Sequence, residues 1–247
     1  MNTVRGARIA VAAAVVAVGT LGPRAARACG VSTADGVYAC SLQEHDEETR
    51  PRWLAGASAI YTSTAILFSG DLRANQTRGA VVASLAYQPT RRWTLQAAAG
   101  GVFGGRLSTP TGDHDFSPGA TAAVGAAWRA VEGSRPFVVL TSTLSGSFAS
   151  TRLDGVGPST GYQAFDLRLG GLVGVTIAQV LRPYAVARVF GGPVFWRYRG
   201  AAVTGGDAHH YQLGAGLTVV IAGRVSLFAE GIPLGERSLA GGAALTF

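Results

Sequence analysis

The sequence predicts an all-β fold, a ten-stranded antiparallel up-and-down transmembrane β-barrel, on three observations. From Trp53 to the C-terminus, apolar and polar residues alternate with a period of two. Of the 247 residues 14% are charged and 35 are glycine, with a mean hydropathy of +0.26, which excludes a disordered chain and fits poorly with an ordinary water-soluble domain. No apolar run reaches the roughly 20 residues that a spanning helix needs, so strands have to do the crossing.

Ahead of the barrel the chain reads as an export leader, residues 1–28. Arg5 and Arg8 precede the uncharged run Ile9 to Thr20, and Ala26-Arg27-Ala28 is a small-x-small cleavage pattern before Cys29. All 21 basic residues are Arg, and the leader holds four of them, so the net charge falls from +7 to +3 (17 Arg against 14 acids) in the exported part. The high pI therefore implies no nucleic-acid partner. Cys29 and Cys40 both lie in a short periplasmic segment, 29–51, where an oxidising compartment predicts one local disulfide with a loop-closure value of roughly 2 to 3 kcal/mol. A lipid-anchored Cys29 is the alternative, but Ala26 stands where a lipoprotein signal wants a larger apolar residue.

The barrel, 52–247, is then read strand by strand. The first strand is 53–68. In the second, 77–87, Val81, Leu85 and Tyr87 oppose Arg78 and Ser84; in the third, 92–103, Trp93, Leu95 and Phe103 oppose Arg92, Thr94 and Gln96. The fourth, 119–130, sets Val124 and Trp128 against Thr121 and Arg129, and the fifth, 137–149, sets Leu140, Leu144 and Phe148 against Thr143, Ser145 and Ser147. The sixth, 163–176, carries Asp166 and Arg168 on its polar face. The seventh, 183–198, is the least regular, because Gly191-Gly192-Pro193 marks a bulge or a change of face. The eighth, 209–221, opposes Tyr211, Leu213 and Leu217 to His210, Gln212 and Thr218; Leu227 and Ala229 flank Glu230 in the ninth, 225–234; Leu239, Leu245 and Phe247 share a face in the tenth.

The connections implied by these limits alternate between long and short. One set, at 69–76, 104–118, 150–162, 199–208 and 235–237, has 8, 15, 13, 10 and 3 residues, whereas the other, at 88–91, 131–135, 177–182 and 222–224, has 4, 5, 6 and 3. That is the asymmetry of an outer-membrane barrel with longer extracellular loops. A soluble lipid-binding barrel also alternates, but its outer face would be oddly rich in Gly, Ala, Ser and Thr and thin in charge, so the membrane reading, with the charged face toward the lumen, fits better. Arg78, Arg92, Arg129, Asp166, Arg168, Arg188 and Glu230 against lipid would each cost up to roughly 2 to 4 kcal/mol, more in sum than a typical folding stability of about 5 to 15 kcal/mol.

The final strand, with alternating Leu239, Gly241, Ala243 and Leu245 and a terminal Phe247, resembles the C-terminal assembly signal of Gram-negative bacterial outer-membrane β-barrel proteins. The resemblance implies location in the cell outer membrane, contact with its lipids and insertion by the barrel-assembly machinery. It names no substrate and no subfamily.

Within the barrel, Asp166, Arg168, Arg188 and Glu230 form the predicted lumen network. They read either as a structural Arg–carboxylate cluster or as a selectivity constriction in a narrow pore, where the Arg excess favours anions among the small solutes that pass. The function expected is a narrow channel or a plugged membrane scaffold with surface-exposed loops. A protease is the alternative: Asp113 and Asp115 in one outer loop and Asp207 and His209 in another are similar to the Asp pair and Asp–His pair at the mouth of the omptins, ten-stranded outer-membrane proteases. Carried over, these four residues would activate a water. The chain is shorter than that family, and the residues around its motifs are not reproduced. His45, within an acidic run before the first strand, reads as solvated. No nucleophile elbow, phosphate loop or zinc spacing occurs, so no cofactor and no metal is expected.

Overall fold

The computed structural model describes residues 31–32, 38–39, 52–132, 136–153, 158–222 and 224–247. The leader, Cys29, Cys40 and His45 lie outside them. The strands are β1 (Val31–Ser32), β2 (Tyr38–Ala39), β3 (Arg52–Phe68), β4 (Leu72–Gln88), β5 (Trp93–Thr109), β6 (Gly112–Phe116), β7 (Gly119–Glu132), β8 (Pro136–Leu153), β9 (Thr160–Val175), β10 (Leu181–Gly191), β11 (Val194–Tyr198), β12 (Ala201–Asp207), β13 (Tyr211–Ile221), β14 (Val225–Gly235) and β15 (Arg237–Thr246). β3 to β15 make one antiparallel sheet of 13 strands. The expected seventh strand is broken into β10 and β11, and two further strands, β6 and β12, form within the expected loops 104–118 and 199–208, each set off by a short break from β7 and β13. Pro118 and Pro193, which have no N–H to give a ladder, sit in two of the breaks.

The sheet closes on itself twice, with different numbers of strands. At one level β15 pairs with β3, Thr246 opposite Leu54 through Arg237 opposite Ser63, and a ring of ten runs through β4, β5, β7, β8, β9, β10, β13 and β14. Phe247 and Trp53 exchange backbone hydrogen bonds of 3.0 and 3.1 Å at the end of this seam. The hairpin of β14 and β15 is shorter than its neighbours, and above its tip β12 crosses to pair with β3, Gly205 opposite Phe68 and Asp207 opposite Ile66. Above that point the ring has eight strands: β3, β4, β5, β6, β8, β9, β11 and β12.

The outer surface of the ten-stranded ring is apolar. Leu144, Val173 and Leu239 are 54%, 56% and 66% exposed, values that only a lipid solvent makes favourable along a whole wall. Two aromatic levels bound this wall. Trp53, stacked on Tyr87 at 4.7 Å between ring centroids, and the register pair Trp93 and Trp128 mark one end. Tyr61, Phe103, Phe148, Phe165, Phe195 and Tyr211 mark the other, with Phe148 and Phe165 at 5.7 Å. Trp53 and Tyr61 are eight residues apart, about 26 Å along a strand and about 20 Å after tilting, close to the apolar band of a barrel. The strands stop at the Trp53 level on one side and project beyond the Tyr61 level on the other.

That projection corrects the expected loop lengths. β3 and β4 are joined by residues 69–71, not 69–76, and β11 and β12 by 199–200, not 199–208. Gly70 and Asp71 have φ of 75° and 60°, and Arg199 and Gly200 have 50° and 82°. Consecutive left-handed residues make the turn whose twist suits a two-residue hairpin, so the polar segments beside them pair as strands. The asymmetry between the two ends lies in strand length rather than in loops. Arg92, expected in the lumen, is exposed in the short turn before β5.

β1 and β2 pair with each other, Val31 opposite Ala39. β1 approaches β13, β14 and β15, and β2 approaches β5 and β7, on the far side of the ring. The pair therefore reaches both sides of the ring.

Candidate functional site: the barrel lumen

The alternation places polar side chains inward, and the structure joins them. Arg188 donates to both oxygens of Glu230, at 2.9, 3.0 and 3.1 Å, and to Gln212 at 3.3 Å. Tyr184 donates its hydroxyl to Glu230 at 3.0 Å. Gln212 in turn donates to Glu236 at 3.0 Å, and Glu236 accepts from Arg168 at 3.2 Å. Arg168 also pairs with Asp166 and lies over the Phe190 ring, 4.9 Å from its centroid. The four residues expected in the lumen thus belong to one chain of contacts that crosses from β9 to β10, β13 and β14. At Arg188 and Glu230 the side chains are 2% and 0% exposed, so each charge depends on the other.

Three members escape sequence reasoning. Glu236 sits in the turn between β14 and β15, where a loop carboxylate ordinarily points to water; here the tip lies beneath β12, and Glu236 is 4% exposed. Gln212 stands on the polar face of its strand, a signal that was present but shared by every lumenal residue. Tyr184 points inward from the irregular strand, where alternation is least informative.

Above the network, the eight-stranded ring is filled. Ile66, Phe68, Leu107, Phe116, Tyr162 and Trp196 form its buried core, with Phe116 edge-on to Tyr162 at 5.0 Å and Phe68 against Trp196 at 5.4 Å. Polar tips are satisfied within it: Trp196 donates its indole N–H to Thr151 at 2.9 Å, and Tyr162 its hydroxyl to Gln76 at 2.8 Å. Small barrels fill their interior with side chains, and eight strands leave room for little else.

The residues of the omptin-like reading are not brought together. His114 and Phe116 are buried inside β6, so Asp113 and Asp115 fall on its outer face, where Arg106 holds them at 3.1 and 3.4 Å. Asp207 faces the interior, level with Ile66, and accepts from the Thr64 hydroxyl at 3.2 Å. His209 is exposed beside Tyr211. The wall of the barrel separates Asp207 from Asp113 and Asp115. Asp207, beyond the Tyr61 level, is pushed up to about 6 by burial and then by the Glu236 and Asp166 carboxylates, with Arg168 and Thr64 opposing. Among the described residues no group of three or more His, Cys, Asp or Glu could hold a metal ion.

No family model and no curated protein matches the chain. Among solved structures it is similar to the translocator domain of the autotransporter NalP from Neisseria meningitidis, at 12% identity and a TM-score of 0.46 over 83% of this chain and 90% of that one. It is also similar to the transport unit of the autotransporter AIDA-I from Escherichia coli, at 11% identity and a TM-score of 0.40 over 83% and 93%. An outer membrane channel from Pseudomonas putida F1 matches at 11% identity and a TM-score of 0.40 over 83% and 98%. The closed ring, the apolar belt and the two aromatic levels give the chain the architecture of a transmembrane β-barrel of the outer-membrane type.

Proposed function

We propose that this barrel is a plugged membrane scaffold whose lumen is closed at the projecting, outer end, rather than an open pore. The observation that carries the reading is the aromatic core of the eight-stranded ring: Phe68, Phe116, Tyr162 and Trp196 occupy the cross-section that a solute would have to pass. The network from Asp166 to Glu230 adds a second barrier, since its charges are spent on each other rather than presented to water. Planar-bilayer recording of the refolded protein tests this. The wild type conducts no steady ionic current, and Trp196→Ala, which empties the largest side chain of the core, introduces discrete openings. A stable conductance in the wild type refutes the reading and returns the barrel to the narrow-channel class.

A further inference from the structure

We propose that the cavity beneath the aromatic core is a binding site for a short-chain monocarboxylate, held by Arg78. The inference uses the closed roof of the preceding reading but goes beyond it, because a plugged scaffold needs no ligand.

The cavity has a volume of about 110 Å³. Its lining is two-sided. Thr62, Arg78 and Ser238 stand in one row, Thr62 opposite both of the others; Thr121, Thr143 and Ser145 add hydroxyls from the facing wall, and Ile60, Ala80, Val82, Ala98 and Val102 supply an apolar remainder. On β4 the inward sequence is Arg78, Ala80, Val82, so polarity falls from roof to floor within two positions. A hydroxyl-lined cationic end above an aliphatic end is the complement of a molecule with a carboxylate and a short alkyl tail. A cavity of 150 Å³ holds benzene, so one of this size takes a ligand of about six non-hydrogen atoms at most.

The charge argument decides the sign of the ligand. Three charged side chains border the space: Arg78, Arg168 and Glu236. Glu236 is already engaged, accepting from Arg168 at 3.2 Å and from Gln212 at 3.0 Å, and Arg168 is further held by Asp166. Arg78 differs from them. Its Nη1 donates to the neutral Ser147 hydroxyl at 2.8 Å, and no described carboxylate pairs with it. A half-buried guanidinium has five donors in a fork that matches a carboxylate, and here most of that fork is unspent.

The backbone is shaped around this residue. The ladder between β4 and β5 slips at Arg78 and Gly79, where Gly104 is the extra residue on β5. Gly105, opposite Arg78, has φ of 114°, and a Cβ there would lie 2.2 Å from the Thr77 carbonyl oxygen and 2.8 Å from the Arg78 Cα. Bulges of this kind re-aim side chains next to sites.

The test is equilibrium titration of the full exported chain, refolded in detergent, with sodium butyrate followed by ¹³C NMR of the labelled carboxylate; n-butylamine is the charge-reversed control. Heat-modifiable migration on a detergent gel establishes that each variant is folded. Butyrate binds saturably, Arg78→Gln weakens binding about tenfold or more, and Arg78→Lys retains most of it. Ala98→Leu, which leaves Arg78 in place and fills the apolar end, also abolishes binding. Butylamine does not bind. No saturable binding of butyrate to folded protein overturns the proposal, as does binding that both Arg78→Gln and Ala98→Leu leave unchanged, or a preference for butylamine. Planar-bilayer recording on the same preparation separates this result from the closed-lumen reading: a steady wild-type conductance refutes closure whatever butyrate does.

Discussion

Replacing Glu230 by Ala removes the acceptor at the centre of the lumenal network. Arg188 loses three contacts of 2.9 to 3.1 Å and keeps Gln212 at 3.3 Å, while the Tyr184 hydroxyl loses its 3.0 Å acceptor. Both charged side chains are almost wholly enclosed, so the uncompensated guanidinium sets the cost at about 3 to 5 kcal/mol. The Tyr184 hydroxyl, worth about 1 to 3 kcal/mol when stranded, does not add in full, because the two losses share one partner. With a urea slope of roughly 2 to 3 kcal/mol/M, the unfolding midpoint in detergent falls by about 1 to 2.5 M. The assay is a urea series read by tryptophan fluorescence and by heat-modifiable migration. Membrane insertion is unaffected, since the lipid face and Phe247 are unchanged. Arg188→Met combined with Glu230→Leu recovers much of the loss by removing the stranded charge. An unchanged midpoint for Glu230→Ala refutes the reasoning, because it means that water already compensates both groups and the lumen is not enclosed.

Asp207 gives a pH dependence. Its acid form is favoured in the folded state, raised from 3.8 to about 6, so its contribution is fully present below about pH 4 and is lost as pH rises through 6. Asp207→Asn therefore gains stability over the wild type between pH 4 and 7, by at most about 3 kcal/mol, in detergent unfolding measured across that range; a constant difference rejects it. Deleting Phe247 removes the two backbone bonds that close the seam with Trp53, and the fraction of heat-modifiable protein recovered from membranes drops; full recovery shows that the terminal residue is dispensable. For Cys29 and Cys40, intact-mass measurement of the exported protein gives the loss of two hydrogens and no acyl group, whereas a diacylglycerol-sized increment identifies a lipoprotein instead.

The ring of ten at membrane level was legible because lipid on one side and a filled lumen on the other impose opposite polarity on successive residues. Leu140 and Leu144 against Thr143 and Ser145, or Leu227 and Ala229 against Glu230, need no partner strand to be read. The terminal pattern from Leu239 to Phe247 was legible for the same reason. What the amino-acid order left undecided begins where that two-solvent contrast ends, beyond the Tyr61 level, with water outside and an aromatic core within. There, the segments around Gly70-Asp71 and Arg199-Gly200 have the composition of loops, and only pairing with neighbours makes them strands. The bulge at Gly104 shifts the alternation by one, so that Leu107 points in although Phe103 points out. Pairing of β12 with β3 joins residues as far apart as Phe68 and Gly205, and it depends on the β14–β15 hairpin stopping short beneath. That crossing reduces ten strands to eight, turns Glu236 from a turn carboxylate into a buried partner of Arg168, and sets Asp207 inside the wall while Asp113 and Asp115 remain outside. Polarity along one strand reports which solvent each face meets; which strands meet, and at what height, is settled only when the whole ring closes.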